Sequence, residues 1–302
     1  MVDICIIGAG TAGLSASIYG LRAGKSVLVL EALNYGGQII NTPDIENYPG
    51  FQHISGYDFA TSLYEQADKL GMKLVYDRVN GISCVDGDFV VQGNIEEYQA
   101  HSVILATGMK RRKLDIPGED KFRGLGVSYC ATCDGAFYRN RTVAVAGGGN
   151  SAFSEALYLS DFCKKVYLIH RRDSFRGERS TLEKIKQKEN INIIEKATML
   201  SVDGTDVVSS ISYRNNETGN IQKLPVDGLF VAVGSMPDTA YLEGLVSIDE
   251  KGFVVADETC RTSVSGVFVA GDCRTKAIRQ LTTAAADGTV SALAACEYLK
   301  SL

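Results

Sequence analysis

The sequence predicts an α/β protein in which one unit, a parallel sheet covered by helices, is built twice, with the second copy inserted into the first. Three observations carry this. Two glycine-rich turns occur in matching frames, residues 2–32 align with residues 141–171 at a constant offset of 139 without a gap, and a late strand-and-helix segment near residue 267 completes the first copy. A chain of 302 residues is long enough for two such cores.

Each repeat opens on an apolar strand, "VDICIIGAG" in the first and "RTVAVAGGG" in the second. A turn follows, G-x-G-x-x-G at Gly8, Gly10 and Gly13, and G-x-G-x-x-A at Gly147, Gly149 and Ala152. The first glycine lets the chain turn sharply, the second clears the space a pyrophosphate needs, and the third small residue lets the helix lie close to the strand. Phosphates then rest on the free N–H groups and positive dipole end of the helix. Because both turns follow a strand, open a helix and lead to another strand, they specify two dinucleotide sites rather than two tight turns.

The copies diverge where such folds discriminate between ligands. The second strand of the first copy ends at Glu31, and the equivalent of the second copy is His170, followed by Arg171, Arg172 and Arg176. A carboxylate there accepts from a ribose 2′-hydroxyl, whereas arginines grip a 2′-phosphate. The first site is therefore expected to take the adenosine of FAD or NAD, and the second NADPH. After each βαβ unit comes a β-meander, signalled in the first copy by the turn "VDGD" between "GISC" and "FVVQG". The expected architecture is two Rossmann-like dinucleotide-binding domains, each three-layered with a parallel sheet plus a meander. Residues 1–112 and 243–302 form the discontinuous first domain and 113–242 the insert, with Pro117 and Pro237 in the two connections.

Composition excludes other classes. The net charge of -5, without a long basic run, gives no case for nucleic acid or an anionic membrane. The apolar runs are too short to span a bilayer and no signal peptide opens the chain, so a cytoplasmic location is the expectation. Structural disulfides are rare in that compartment. Six of the eight cysteines, Cys5 and Cys84 among them, are therefore expected to be small buried apolar residues. Only Cys130 and Cys133, in "CATCDG", have a motif spacing. Zinc would need four ligands, and there is no second C-x-x-C and only three scattered histidines, so the spacing points to redox chemistry, with two unrelated thiols as the alternative, and does not itself say with what the pair exchanges electrons.

Taken together, "GAGTAG" (8–13), "GGQI" (36–39), "ENYPG" (46–50), "CATCDG" (130–135), "GGGNSA" (147–152), "HRRDSFR" (170–176), "GVFVAGD" (266–272) and "RQLTTAAADG" (279–288) resemble the low-molecular-weight, bacterial-type thioredoxin reductases, in family order over nearly the whole chain. The resemblance implies an FAD-containing homodimer that reduces thioredoxin with NADPH. Cys130 is then the thiol that exchanges with the protein substrate, Cys133 the one facing the flavin, and Asp134 the acid that handles the proton. FAD is expected along Gly8, Gly10, Thr11, Ala12, Gly13, Glu31, Gly36, Gly37, Gln38, Asn47, Thr107, Gly108, Gly271, Asp272, Arg279, Gln280 and Leu281. NADPH is expected along Gly147, Gly149, Asn150, Ser151, Ala152, His170, Arg171, Arg172 and Arg176. Two positions depart from the family pattern: Ala136 where many relatives have an aromatic, which bears on thioredoxin docking, and Cys273 where an aliphatic is common, expected as buried filler.

Sequence order sets one mechanical demand. The C-x-x-C and the NADPH turn share the insert, while the flavin belongs to the other domain, so a rotation about the two connections is expected between half-reactions. The nearest rival is a reductase of the same fold serving a glutaredoxin-like or peroxiredoxin partner. An NADPH–ferredoxin oxidoreductase of this fold would lack the C-x-x-C, and a nucleotide-sensing protein would turn over no disulfide.

Overall fold

The computed structural model describes residues 1–42 and 45–302, without the side chains of Asn41 and Cys133. The chain divides into two compact units, Met1–Lys110 with Met236–Leu302, and Arg111–Ser235.

In the first unit the strands Lys73–Tyr76, Val27–Glu31, Val2–Ile7 and Glu97–Leu105 lie side by side in that order, all parallel. The long Glu97–Leu105 strand is used twice. Its first half pairs antiparallel with Asp88–Gly93, which turns through Asp86 and Gly87 onto Val79–Val85, and its second half pairs in parallel with Val267–Val269. Both faces of the sheet are covered, which is why its strands read as unbroken apolar runs. Residues two apart share a face. Ile4, Ile6, Val27 and Val29 pack with the helices Thr11–Arg22 and Leu281–Tyr298, and Cys5, Ile7, Leu28 and Leu30 pack with the meander and with Leu242 and Val246.

The second unit repeats the plan. Five parallel strands run in the order Ile191–Ile194, Lys165–Ile169, Thr142–Ala146, Gly228–Val231 and Val127–Ser128. A separate antiparallel meander, Ala197–Gly204, Val208–Asn215 and Ile221–Pro225, covers one face, and the helices Asn150–Ser160 and Arg179–Lys186 belong to the same unit. The crossings Met109–Arg111 and Ser235–Pro237 pair as a two-stranded ribbon.

Three expectations are corrected. The insert ends at Ser235 rather than at residue 242, because Leu242 is fully buried in the first unit's core beside Val246 and Val254. Pro117 lies inside the second unit, where its carbonyl accepts from the Val202 N–H at 2.9 Å, whereas Pro237 does lie in a crossing. Cys84 is exposed: it sits toward the hairpin end of an edge strand, Val79–Val85, where the sheet's cover has run out. The other five free cysteines are buried.

Candidate active site

The expected residues of the first unit come together at the C-terminal ends of its parallel strands. Gly8 turns the chain at φ 106°, and a Cβ there would meet the Ala106 carbonyl oxygen at 2.4 Å, directly before Thr107 and Gly108. A Cβ on Gly13 would stand 1.8 Å from the Gly8 oxygen, so the helix can only lie this close to its strand without one. Gly10 is different: its added Cβ would meet nothing nearer than Gly37 Cα at 3.8 Å. Space is left open there over the first-turn N–H groups of the helix, which have no acceptor within it.

Neighbouring segments close around that opening. The Gly36 N–H donates to Ala9 O at 2.8 Å, and Gly36 and Gly37 take left-handed backbone at φ 97° and 65°. Gln38 Nε2 donates to the Met109 carbonyl. Asn47 Nδ2 donates to Gln280 Oε1 at 3.3 Å, at the start of the Leu281–Tyr298 helix. Glu31 accepts from Ala9 N with one carboxylate oxygen at 2.8 Å and from Leu33 N with the other at 2.9 Å. It therefore braces the glycine turn, with a lone pair remaining on each oxygen.

Asp272 lies on the far side of the opening, after Gly271, whose added Cβ would meet Ala12 Cβ at 2.9 Å. Burial pushes the Asp272 carboxyl up, while Lys276 and Arg279 pull it down, and its Oδ1 is buried with no hydrogen-bond partner among the described residues. Beneath it is an ionic cluster that sequence reading missed. Asp287 Oδ2 accepts from Gly271 N (3.0 Å), Arg274 Nε (2.9 Å) and Lys276 Nζ (2.7 Å), and Oδ1 accepts from a second Arg274 nitrogen at 2.9 Å. Arg274 is 1% exposed and Asp287 5%. Burial opposes ionisation of Asp287, but the hydrogen bonds from Arg274 and Lys276 outweigh it and hold the carboxyl below the usual range. Removing one member of such a cluster strands a buried charge, at about 3–5 kcal/mol. The one sequence signal was an acid in the middle of the small, mostly apolar run 281–296. Arg279 packs its guanidinium 4.1 Å from the Phe253 ring centre and donates to the carbonyls of Asp272 and Arg274.

The second turn copies the first. A Cβ on Gly147 would meet Ala232 O at 2.3 Å, matching the clash at Gly8, and Ala152 is fully buried beneath it. Gly149 has nothing within 4 Å of an added Cβ, matching the opening at Gly10. Asn150 Oδ1 accepts from Glu178 N at 2.7 Å and so anchors the loop after the arginines, and Ser151 follows in the helix's first turn. Arg171, Arg172 and Arg176 are exposed, and among the described residues none of the three is in a salt bridge. His170 is placed otherwise. It is 8% exposed, its ring lies where a Gly148 Cβ would fall, and it stacks on Phe175 with centres 4.9 Å apart. Its Nε2 bonds Ser174 O at 3.0 Å. Burial pushes its pKa down, opposed by the Ser174 carbonyl and reinforced by the three arginines, which favours the neutral ring. His170 supports the arginine loop from beneath.

The redox motif occupies the short helix Ala131–Asp134, just after the strand Val127–Ser128. Cys130 is disulfide-bonded, and Cys5, Cys84, Cys163, Cys260, Cys273 and Cys296 are free. Cys133, expected as its partner, has its side chain outside the described residues. Ser128 Oγ lies 2.6 Å from Asp134 Oδ2 and accepts from Cys130 N at 3.0 Å. Tyr129 donates to Glu119 at 2.7 Å, and the same carboxylate accepts from Leu114 N and Asp115 N, which ties the motif to the segment after the crossing. Ala136 is exposed beside Phe137, itself 77% exposed. Cys273 is fully buried, its S–H directed at Ala270 O and Leu105 O, and burial pushes its pKa up. Neither Ser128 nor the Arg111–Glu155 pair, 3.2 Å apart, was singled out in the sequence, since neither belongs to a recognisable spacing.

A doubled glycine turn, arginines at the second, and a cystine ahead of it are the parts of an electron-transfer enzyme that joins nucleotide to disulfide. Residues 2–288 match the pyridine nucleotide-disulphide oxidoreductase family. The chain is 42% identical to thioredoxin reductase of Treponema pallidum over 99% of its own length and 98% of the relative's. It superposes on Lactococcus lactis thioredoxin reductase in its FR conformation with a TM-score of 0.93, 38% identity and full coverage of both chains. Against T. acidophilum thioredoxin reductase the TM-score is 0.89 at 34% identity, covering 99% of this chain and 98% of the other. The chain belongs to the pyridine nucleotide-disulphide oxidoreductases, and within them to the thioredoxin reductase group.

Proposed function

We propose that this oxidoreductase is an NADPH-dependent thioredoxin-disulfide reductase, a cytoplasmic homodimer that holds FAD in its first unit and NADPH in its second. The observation that carries the reading is the Cys130 disulfide, set beside Asp134 and directly ahead of a second dinucleotide turn. Among the described residues no helix is long and apolar enough to cross a membrane.

The residues present fit both groups. For FAD, Gly10 leaves open space over a helix N-terminus, and Asp272 presents a buried acceptor oxygen without a donor among the described residues. Glu31 keeps acceptor capacity at the ribose position. For NADPH, Gly149 leaves the same opening, with Arg171, Arg172 and Arg176 exposed where a 2′-phosphate would fall. His170 serves by placing that loop rather than by gripping the phosphate.

FAD, when bound, supplies the two-electron exchange between a hydride donor and sulfur. The chain's own part is thiol chemistry. Cys130 as thiolate attacks thioredoxin's disulfide, a Cys130–thioredoxin bond forms, the thioredoxin S–S bond breaks, and the departing sulfur takes up a proton. Cys133 then attacks Cys130, which restores the cystine and releases the second thioredoxin thiol. Asp134 holds or delivers the proton at its carboxyl oxygens. The rotation about the two crossings belongs to this reading.

The test is oxidation of NADPH by the purified protein in the presence of thioredoxin. Turnover is expected with thioredoxin, abolished in Cys130→Ser, and slower by about tenfold or more when NADH replaces NADPH, as loss of charge-assisted bonds to a phosphate requires. Turnover with a glutaredoxin-like or peroxiredoxin partner and none with thioredoxin would overturn the assignment.

A further inference from the structure

We propose that Ser128 is a positioning residue of the redox motif, whose hydroxyl holds the Asp134 carboxyl in place in both of that group's protonation states while anchoring the backbone at Cys130. This rests on the reading that Asp134 moves a proton to and from the thiols.

Ser128 is 5% exposed, in a strand whose parallel pairing sets it opposite Phe230. Its Oγ has three partners: Asp134 Oδ2 at 2.6 Å, Cys130 N at 3.0 Å and Cys130 O at 3.2 Å. A hydroxyl has one proton to give and two lone pairs to receive. With Asp134 ionised, the Ser128 proton goes to the carboxylate in a short, charge-assisted bond, and the Cys130 N–H donates to a lone pair. With Asp134 protonated the short bond reverses. The carboxyl O–H donates to Oγ, the Ser128 proton swings to Cys130 O, and the Cys130 N–H remains bonded to Oγ. Both arrangements use the same three distances, so the acid can gain or lose a proton without moving. The proton itself passes between carboxyl and thiol, and Ser128 only rotates.

The bland alternative is a serine turn, in which Oγ merely receives the N–H two residues on. A turn accounts for the Cys130 N contact but not for the 2.6 Å contact to Asp134. Without the hydroxyl, both the Cys130 N–H and the carboxyl lose a partner in a half-buried site, and the acid is free to leave its productive position.

The test uses the FAD-loaded protein reduced with a phosphine, so that neither nucleotide nor electron flow is needed. The rate of iodoacetamide alkylation of the C-x-x-C thiols is followed by mass spectrometry from about pH 5 to 9 in wild type, S128A, S128T, D134N and S128A/D134N. In S128A the alkylation rate is expected to depart from wild type by about threefold or more, in the same direction as in D134N, as loss of the group that holds the carboxyl in place requires. S128T restores the wild-type profile, and in the D134N background S128A adds no further change. S128V, the isostere of S128T without the hydroxyl, carries the same test if S128A does not fold. An S128A profile that superposes on wild type, an equal change with and without Asp134, or a D134N profile identical to wild type overturns the proposal. Failure of NADPH to reduce the disulfide would instead overturn the functional reading, and this measurement does not depend on it.

Discussion

Glu155 is the residue whose ionisation the fold perturbs most usefully for a test. It lies on the helix after the second glycine turn, 12% exposed, with Oε2 buried and without a hydrogen-bond partner among the described residues and Oε1 3.2 Å from Arg111. Burial raises its pKa to about 7, with Arg111 pulling the other way. A carboxyl whose folded pKa lies above its ordinary value of 4.5 contributes stability that is full below that value and is lost as pH rises through about 7. Between pH 5 and 8, wild type is therefore expected to lose on the order of 2 kcal/mol relative to Glu155→Gln, read from urea midpoints. His170, whose pKa is pushed down by burial, changes with the opposite sign, and it is common to both proteins and cancels. Parallel pH dependence in the two proteins would show that Glu155 ionises freely. No sequence pattern marked this residue, because the desolvation that perturbs it comes from the fold around it.

Among the elements, the strand–turn–helix repeat was the most legible, since small residues at fixed spacing have one steric reason that both copies share. Gly8 and Gly147 each face a strand-end carbonyl, Ala106 and Ala232, at 2.4 and 2.3 Å. Those two alanines do not share the 139-residue offset, because the meanders between differ in length, so the contact itself could not be read from the alignment. The openings at Gly10 and Gly149 separate ligand space from packing space. Gly149→Ala is expected to fold with wild-type stability within about 0.5 kcal/mol, its new methyl meeting no atom, while raising the KM for NADPH by about tenfold or more. A variant with unchanged KM would mean that no pyrophosphate passes over Gly149. The Asp287 cluster was illegible for the converse reason. Its members come from a loop and a helix, and only the packed structure brings Arg274, Lys276 and Asp287 within hydrogen-bonding distance.

For the whole molecule, motif order alone placed one unit inside the other, but the seam was read seven residues late, since only packing shows that residues 236–242 belong to the first unit's core. The same order puts the disulfide and the second glycine turn in one unit and the first glycine turn, Asp272 and Arg279 in the other, and this division is the basis of the proposed rotation. An engineered cross-link between the units is expected to stop thioredoxin turnover while sparing one half-reaction in stopped-flow, and full turnover in the locked protein would contradict it. The central claim is that a cystine at Cys130 takes electrons delivered by NADPH. Anaerobic titration of the flavoprotein with NADPH, followed by flavin absorbance, tests this most directly. Uptake of roughly two equivalents is expected in wild type and about one in Cys133→Ser, because a flavin alone takes one pair of electrons and a coupled disulfide a second. Uptake of about one equivalent in wild type would contradict it, showing that the cystine is not part of the electron path.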